Sequence, residues 1–408
     1  MRIFTFTFLL FSFIGSAQIP WPSENWDNAV NLTPLMSQSG ITDMSGLHWN
    51  PQNNRLYGVQ GDGRLRVLQM NASGTAFSQI ASKVLADGPE GITQADLAAN
   101  TFYVIDENNY EIRKYNHTAN FSSVTFSKSW NLLEAPSPME DTGNTGPEGI
   151  VFVPDAALAG IGFISQLTGQ PYVSVKGMGG LMFIAHQDEG YIWVFDINPN
   201  TSNNFAYVGK YQANRAESCD LAFDRSTGLL YILHNIADGN TLEVTDLSTE
   251  INGSQRKFIS INEYFLPVAD DNENIEGFAI TPKCPETGST SVWLCRDVEN
   301  NEDDAVLEDA LRWFSPFASD GSCDLNVHNV AANTLNVYPN PANSFITIGF
   351  SSAIESFIIS NDLGQIIITG QNAPAEEMSI DVSKLQSGIY FLEVSVGGIS
   401  HKTKFLKQ

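Results

Sequence analysis

Basic residues are scarce in this sequence. It has 21 lysines and arginines against 46 aspartates and glutamates, so the formal net charge is −25 over 408 residues. Nucleic acid and anionic membrane surfaces would be repelled by such a chain. Most of the excess precedes Thr334, because the remainder carries only six acidic side chains and four lysines. The acidity therefore belongs to the larger N-terminal part, where cations and cationic or neutral ligands are the favoured partners.

Long apolar runs are also absent, apart from one at the N-terminus. Residues 3–14 are almost wholly apolar, follow a single arginine and lead into Gly15, Ser16 and Ala17. This arrangement predicts a secretory signal peptide over residues 1–17. The run is too short to cross a bilayer permanently, and no later segment is long enough. We therefore expect an exported protein without a transmembrane segment.

Cysteine is limited to four residues, and none of them are spaced as Cys-x-x-Cys. A metal site built from thiolates is therefore disfavoured. In an exported protein four cysteines allow three disulfide pairings, and the sequence alone does not choose among them. Because Cys284 and Cys295 flank a predicted hairpin, we favour a bond between these two.

Common catalytic motifs are missing as well. The chain has no Gly-x-Ser-x-Gly, no phosphate-binding P-loop and no His-Glu-x-x-His. These absences argue against a nucleophile-elbow hydrolase, a P-loop enzyme and a zinc protease of that type. No residue is assigned a catalytic role, and a binding protein is favoured over an enzyme.

What the chain does have is a recurring phrase. Gly-Pro-Glu-Gly-Ile occurs at residues 88–92 and 146–150, and Ile-Glu-Gly-Phe at 275–278, with looser copies around Gly46 and at 217–223. Each copy opens a run of short β-rich segments separated by turns, and such a repeat predicts radially stacked sheets. We predict an all-β protein with a five- or six-bladed β-propeller. Six blades are preferred, with the sixth built from residues 121–133 or 205–211 and the N-terminal segment, which is expected to close the ring.

The last part of the chain is different. From Thr334 onward, short apolar strands alternate with turn residues at regular spacing, which is typical of a small immunoglobulin-like β-sandwich. The predicted domains are a signal peptide (1–17), the propeller (18–325), a linker (326–333) and the C-terminal domain (334–408).

Specific motifs in this tail resemble a known family. They are Val-Tyr-Pro-Asn-Pro at residues 337–341, Asp-Leu-Gly at 362–364, Asp-Val-Ser-Lys-Leu at 381–385 and Gly-Ile-Tyr-Phe at 388–391. In this order they resemble the type A C-terminal sorting domain of the type IX (Por) secretion system. The resemblance implies a Bacteroidetes-type bacterium, Sec export, interaction with the type IX machinery, and release or attachment at the outer-membrane surface.

The propeller resembles the SdiA-regulated and esterase-like phytase groups of bacterial propellers, through its Glu-Gly-Ile phrases and the strands that follow them. Because these motifs are short, the resemblance carries fold better than function.

Two sets of polar residues are expected at one mouth of the propeller channel. The first set lies at the start of the inner strands and comprises Glu90, Glu148, Glu276 and, two residues before its expected place, Glu217. The second lies at the ends of the second strands, where Asp106, His186, His234 and Arg296 occur. Clustered carboxylates repel one another unless a cation or protons compensate, and Ca²⁺ prefers such oxygen ligands. We predict a ligand site formed by both sets, with Glu90, Glu148 and Glu276 as Ca²⁺ ligands.

Alternatives stay open at this point. The Glu-Gly phrase could be a strand-entry turn whose carboxylate accepts backbone N–H groups. A calcium-dependent phosphoesterase of the phytase type is the second functional hypothesis, and an adhesion or scaffold protein without a small ligand is the third.

Overall fold

The computed structural model describes residues 19–36, 41–85, 88–235, 239–268, 273–284, 290–298, 308–321, 323, 336–361, 364–396 and 399–408. The predicted signal peptide lies outside these residues. The chain divides into two compact units, Met1–Cys323 and Asp324–Gln408. Within the described ranges, no helix is both long and apolar enough to cross a membrane.

The described residues of the first unit form five blades of four strands each, and blades 3 and 4 join into one eight-stranded sheet through a parallel pairing of their outer strands. Blade 1 consists of β2 (Met44–Asn50), β3 (Arg55–Gln60), β4 (Arg64–Met70) and β5 (Phe77–Val84). Blade 2 consists of β6 (Pro89–Thr93), β7 (Thr101–Asp106), β8 (Glu111–His117) and β9 (Val124–Asn131). Blade 3 consists of β10 (Pro147–Pro154), β11 (Gly180–His186), β12 (Ile192–Ile197) and β13 (Phe205–Gln212). Blade 4 consists of β14 (Ser218–Asp224), β15 (Leu229–His234), β16 (Thr241–Asn252) and β17 (Gln255–Phe265). Blade 5 consists of β18 (Ile275–Ile280), β19 (Thr290–Arg296), β20 (Leu311–Phe317) and β1 (Val30–Asn31).

The inner strands form a closed ring around one axis. Strands β2, β6, β10, β14 and β18 contact one another in this order, and β18 contacts β2 again. Each blade buries both faces against its neighbours, which is why β11 and β15 are buried along their whole length and rich in Leu, Ile and Phe.

The N-terminal segment closes the ring. Val30 pairs with Trp313 and Asn31 with Arg312, so β1 is the outermost strand of blade 5. The expectation that this segment supplies a closing strand is confirmed. Because the first and last parts of the propeller share one sheet, the last blade cannot detach without breaking this pairing.

The preference for six blades is wrong. The two segments proposed as sixth-blade material form the outer strands of blades 2 and 3, as β9 and β13. Their sequences are irregular because outer strands are partly exposed and need not carry the apolar pattern of the inner strands.

Short helices interrupt the strands. The connection between β10 and β11 in blade 3 begins with the helix α1 (Asp155–Ile161), which ends at Gly162 in the left-handed conformation with φ of 68°. The 3-10 helices are Trp26–Asn28, Thr33–Met36 and Asp188–Gly190.

The predicted Cys284–Cys295 disulfide is also wrong, since Cys284 bonds to Cys323 with a Cα–Cα distance of 5.3 Å. Cys295 lies opposite Gly277 in the β18–β19 hairpin, whereas Ile280 pairs with Val292 and Cys284 lies beyond that end. The two cysteines therefore sit at opposite ends of blade 5. Cys219 and Cys295 are free and buried.

The second unit is an all-β domain of five strands. They are β21 (Asn336–Tyr338), β22 (Phe345–Asn361), β23 (Ile366–Asp381), β24 (Gly388–Val396) and β25 (Ile399–Lys407). The long strand β22 pairs with β21, β23 and β24, with register shifts between Gly349 and Ser356. Alternate residues such as Ile346, Ile348, Leu392 and Val394 form its apolar core.

Candidate functional site at the acidic mouth of the propeller

The repeated phrase forms a β-bulge. In blade 2, Pro89 pairs with Asp106 and Gly91 pairs with Ile105, so Glu90 has no residue opposite to it. The same irregularity occurs in the inner strand of every blade. An extra residue bends the strand and redirects its own side chain. By register, this position is held by Ser45, Glu90, Glu148, Cys219 and Glu276.

This register agrees with the predicted offset of Glu217. Ser218 pairs with His234 as Pro89 pairs with Asp106, so Cys219 is the counterpart of Glu90 and Glu217 lies two residues before it. Glu217 lies one residue before β14, and its backbone oxygen contacts His234 Nδ1 at 2.9 Å.

Glycine follows the bulge position in four blades because the inner strands almost touch. A Cβ on Gly91 would lie 2.6 Å from the Ile150 nitrogen and 2.8 Å from the Gly149 Cα. A Cβ on Gly46 or on Gly277 would likewise lie too close to backbone atoms of the next inner strand. Only glycine permits this approach, so the Glu-Gly pairing in the sequence combines a redirected side chain with close backbone packing.

Asp220 occupies the glycine position in blade 4, and the sequence analysis missed it. Its Oδ2 accepts the backbone N–H groups of Leu47 at 3.3 Å and Phe278 at 2.9 Å, and its Oδ1 accepts that of Leu221 at 2.8 Å. Leu47 is in blade 1 and Phe278 in blade 5, so this carboxyl group, which is fully buried, ties three blades together. In the sequence it could have been recognised as an Asp directly before the apolar residue, at the position where the other copies of the phrase have Gly.

The three glutamates of the bulge interact electrostatically. Burial raises the pKa of Glu90 to about 7, and the charge of Glu107 adds to the shift. Burial likewise raises the pKa of Glu148 well above its usual value, with further increases from Glu90, Glu107 and Glu276. The pKa of Glu276 is raised by burial, then by Asp297 and Glu90. The structure thus brings together the three residues that were predicted to converge.

Other polar groups contact this cluster. Asn274 donates to Glu276 Oε1 at 2.8 Å, and Glu107 shares a side-chain hydrogen bond with Glu148. In the described part of the chain, the ion pairs do not include Glu90, Glu148 or Glu276. Nor do three or more His, Cys, Asp or Glu side chains of the described residues assemble in a geometry that would hold a metal ion. The mouth is therefore an acidic surface without a basic partner in the described ranges.

A pH dependence follows for Glu90. In the folded protein the pKa of its carboxyl group is about 7, whereas the ordinary value is 4.5. The contribution of this group to folding stability therefore falls as the pH rises from about 4.5 to 7. For one carboxyl group, the free energy of unfolding changes by at most about 1.4 kcal/mol per pH unit. In chelator, Glu90→Gln is expected to become progressively more stable than wild type between pH 5 and 7.5, measured by denaturant unfolding.

The comparison of variant with wild type removes the titrations of groups that do not interact with Glu90. Burial lowers the pKa of His48 to about 3 and that of His186 to about 4, so these groups favour folding more as pH rises towards 6.5. The contributions of His48 and His186 cancel when the unfolding free energy of the wild type is subtracted from that of the variant. A difference that stays constant over the pH range would contradict the raised pKa of Glu90.

The polar residues of the second predicted set lie at the ends of the second strands, as the sequence predicted. Gln60, Asp106, His186, His234 and Arg296 each pair with the first residue of an inner strand. Most of their side chains, however, bond within their own blade and its connections. Asp106 forms an ion pair with Arg113, and His234 Nε2 lies 2.9 Å from Glu243 Oε2.

Arg296 is likewise held close to its own blade, because it forms ion pairs with Glu273 and Asp309. These ion pairs give a structural reason for the burial of Asp106, His234 and Arg296. His186 differs, since its Nε2 is buried without a hydrogen-bond partner in the described residues.

Comparison with known families agrees with both resemblances. Residues 336–408 match the model of the secretion system C-terminal sorting domain. Residues 27–157, which span the closing strand, blades 1 and 2 and the inner strand of blade 3, match the SdiA-regulated model. No curated protein matches the chain in sequence.

The matched tail assigns the location. A type IX sorting domain directs a protein to the cell surface or into the medium, and interaction with the type IX machinery belongs to this tail. The propeller is the part that is delivered.

Proposed function

We propose that the exported propeller binds a ligand at the acidic mouth by placing a positive charge beside Glu90, Glu148 and Glu276. The observation that supports this proposal is that three carboxyl groups from three blades lie close enough for Glu90 to raise the pKa of both Glu148 and Glu276. A cation would replace the protons that hold the cluster together.

Asp220 supports a binding role for the mouth. Its carboxyl group accepts the backbone N–H groups of Leu47 in blade 1 and Phe278 in blade 5, so the inner strands of three blades are joined next to the bulge position.

Two cations test the proposal. Ca²⁺ is the hard ion that carboxylate oxygens prefer, and the ammonium groups of spermidine represent an organic cation. Calorimetry and thermal melting of the purified protein are compared with each cation and with chelator. At a hundred times the dissociation constant, a bound cation stabilises the folded state by about 2.7 kcal/mol.

Glu148→Gln gives the sharpest variant. In chelator it is expected to be more stable than wild type at pH 7.5, because it removes a carboxylate from a repulsive cluster. With the cation it is expected to lose most of the binding heat and of the gain in melting temperature. The control is Glu250→Gln, an exposed residue at the far end of β16, which should change neither property.

The possible outcomes of the two cation titrations lead to different conclusions. Heat from Ca²⁺ that Glu148→Gln abolishes supports calcium-assisted binding, whereas heat from spermidine alone supports an organic cation. If neither cation produces heat or raises the melting temperature, the glutamates serve only the turn and the proposal fails.

A further inference from the structure

A second cleft lies where blade 3 meets the connection from blade 2, and none of the bulge glutamates lines it. It has a volume of about 310 Å³, and its lining includes His186, Tyr191, Trp193, Lys210, Met139 and Glu140. Trp193 and Met139 belong to the apolar core shared by these blades. A cleft of this size, with aromatic walls and several polar side chains, can hold a small organic molecule.

His186 offers a hydrogen-bond donor to this cleft. Its Nδ1 accepts the backbone N–H of Asp188 at 3.1 Å, so the hydrogen of the neutral ring is on Nε2. The side chain is only 2% exposed, and Nε2 is buried without a partner in the described part of the chain. A buried donor without an acceptor costs about 1–3 kcal/mol, so an acceptor from a ligand would remove a real penalty.

Lys210 brings a positive charge to the same cleft. Its Nζ lies 4.2 Å from the centre of the Tyr191 ring and 5.2 Å from that of Trp193. Within the described residues, no carboxylate forms an ion pair with it. An ammonium group held over aromatic faces is positioned without being neutralised, which is unusual in a chain with a net charge of −25.

The rim limits how much negative charge can enter. Glu140 and Asp188 line the cleft and are exposed, so they would repel a polyanion. A single negative charge placed deep in the cleft, beside Lys210 and His186, would be attracted by the first and hydrogen-bonded by the second.

We propose that this cleft binds a small monocarboxylate with an apolar or aromatic body. The carboxylate accepts a hydrogen bond from His186 Nε2 and interacts with the ammonium of Lys210. The body of the ligand packs against Trp193 and Met139. This site is independent of the acidic mouth, because none of the bulge glutamates lines it.

Phenylacetate and phenylacetamide are the probes, because they share a shape and differ in charge. Calorimetry with the purified protein is expected to show phenylacetate binding at least about tenfold more tightly than the amide, since charge-assisted bonds contribute about 1.5–3 kcal/mol. Inorganic phosphate, which carries more charge, is expected to bind more weakly than phenylacetate.

Two variants separate the contributions. Lys210→Met keeps the stem without the charge. His186→Asn keeps an acceptor for the Asp188 N–H and removes the Nε2 donor. Each is expected to weaken phenylacetate binding about ten- to hundredfold. Lys257→Met, on the outer strand of blade 4, and Glu148→Gln should leave phenylacetate binding unchanged.

Equal affinity for the acid and the amide, or no heat from either at millimolar concentration, would overturn the proposal. So would phenylacetate binding that survives both Lys210→Met and His186→Asn while their melting temperatures match wild type. Loss of cation binding in Glu148→Gln with intact phenylacetate binding would keep the cleft and the mouth distinct.

Discussion

Replacing Gly91 with alanine is expected to cost the propeller at least about 3 kcal/mol of folding free energy. The new Cβ would lie 2.6 Å from the nitrogen of Ile150 and 2.7 Å from the oxygen of Glu148. Both are backbone atoms of the neighbouring inner strand, so no side chain can rotate away, and the ring of five inner strands would have to widen. Soluble yield and denaturant unfolding measure the effect.

Gly160→Ala is the matched control. Gly160 lies in helix α1, has no atom within 4 Å of an added Cβ and has no positive φ. Alanine there should stabilise the protein by about 0.5–1 kcal/mol, because it favours the helix. If Gly91→Ala melted as wild type does, the close approach of the inner strands would be refuted.

Asp220→Ala should have the next largest effect, about 3 kcal/mol or more. The change leaves the buried N–H groups of Leu47, Leu221 and Phe278 without their acceptor, and each such loss costs about 1–3 kcal/mol. Burial raises the pKa of Asp220 well above its usual value, while these same N–H groups pull the pKa down. Thermal melting and denaturant unfolding would report the loss.

Two comparisons sharpen this test. Asp220→Asn keeps one oxygen acceptor and is expected to lose less than half as much. Asp246→Ala removes a carboxylate that accepts one N–H, from Ser248, at a partly exposed position of β16, and should cost less than about 1 kcal/mol. A loss at Asp220 no greater than that at Asp246 would mean that the axial carboxyl group does not join the blades.

The repeated phrase predicted well which polar residues lie close together at one end of the inner strands. It located the inner strands and the convergence of Glu90, Glu148 and Glu276, because identical local sequences in a ring must take equivalent positions. It also placed Asp106, His186, His234 and Arg296 at the correct strand ends, because antiparallel neighbours bring those ends to the starts of the inner strands. It did not reveal that Asp106, His234 and Arg296 are already bonded to other protein groups.

Register explains both an expected offset and an error. The bulge puts Cys219, two residues after Glu217, at the position of the other glutamates, as the sequence indicated. The Cys284–Cys295 pairing was wrong because residues that flank a hairpin in sequence can lie at its opposite ends. Neither Lys210 nor Tyr191 stood out, because cation–aromatic contacts join residues that carry no motif.

By itself the sequence determined the all-β class, the propeller repeat, the closing role of the N-terminal segment and the sorting tail. Each of these depends on local patterns, which are periodic apolar residues, repeated turns and short motifs. Only the tertiary structure decided the number of blades, the partner of Cys284, the axial position of Asp220 and the cleft beside His186. These depend on which segments meet across long stretches of chain, and burial then sets the charge state of the groups that meet.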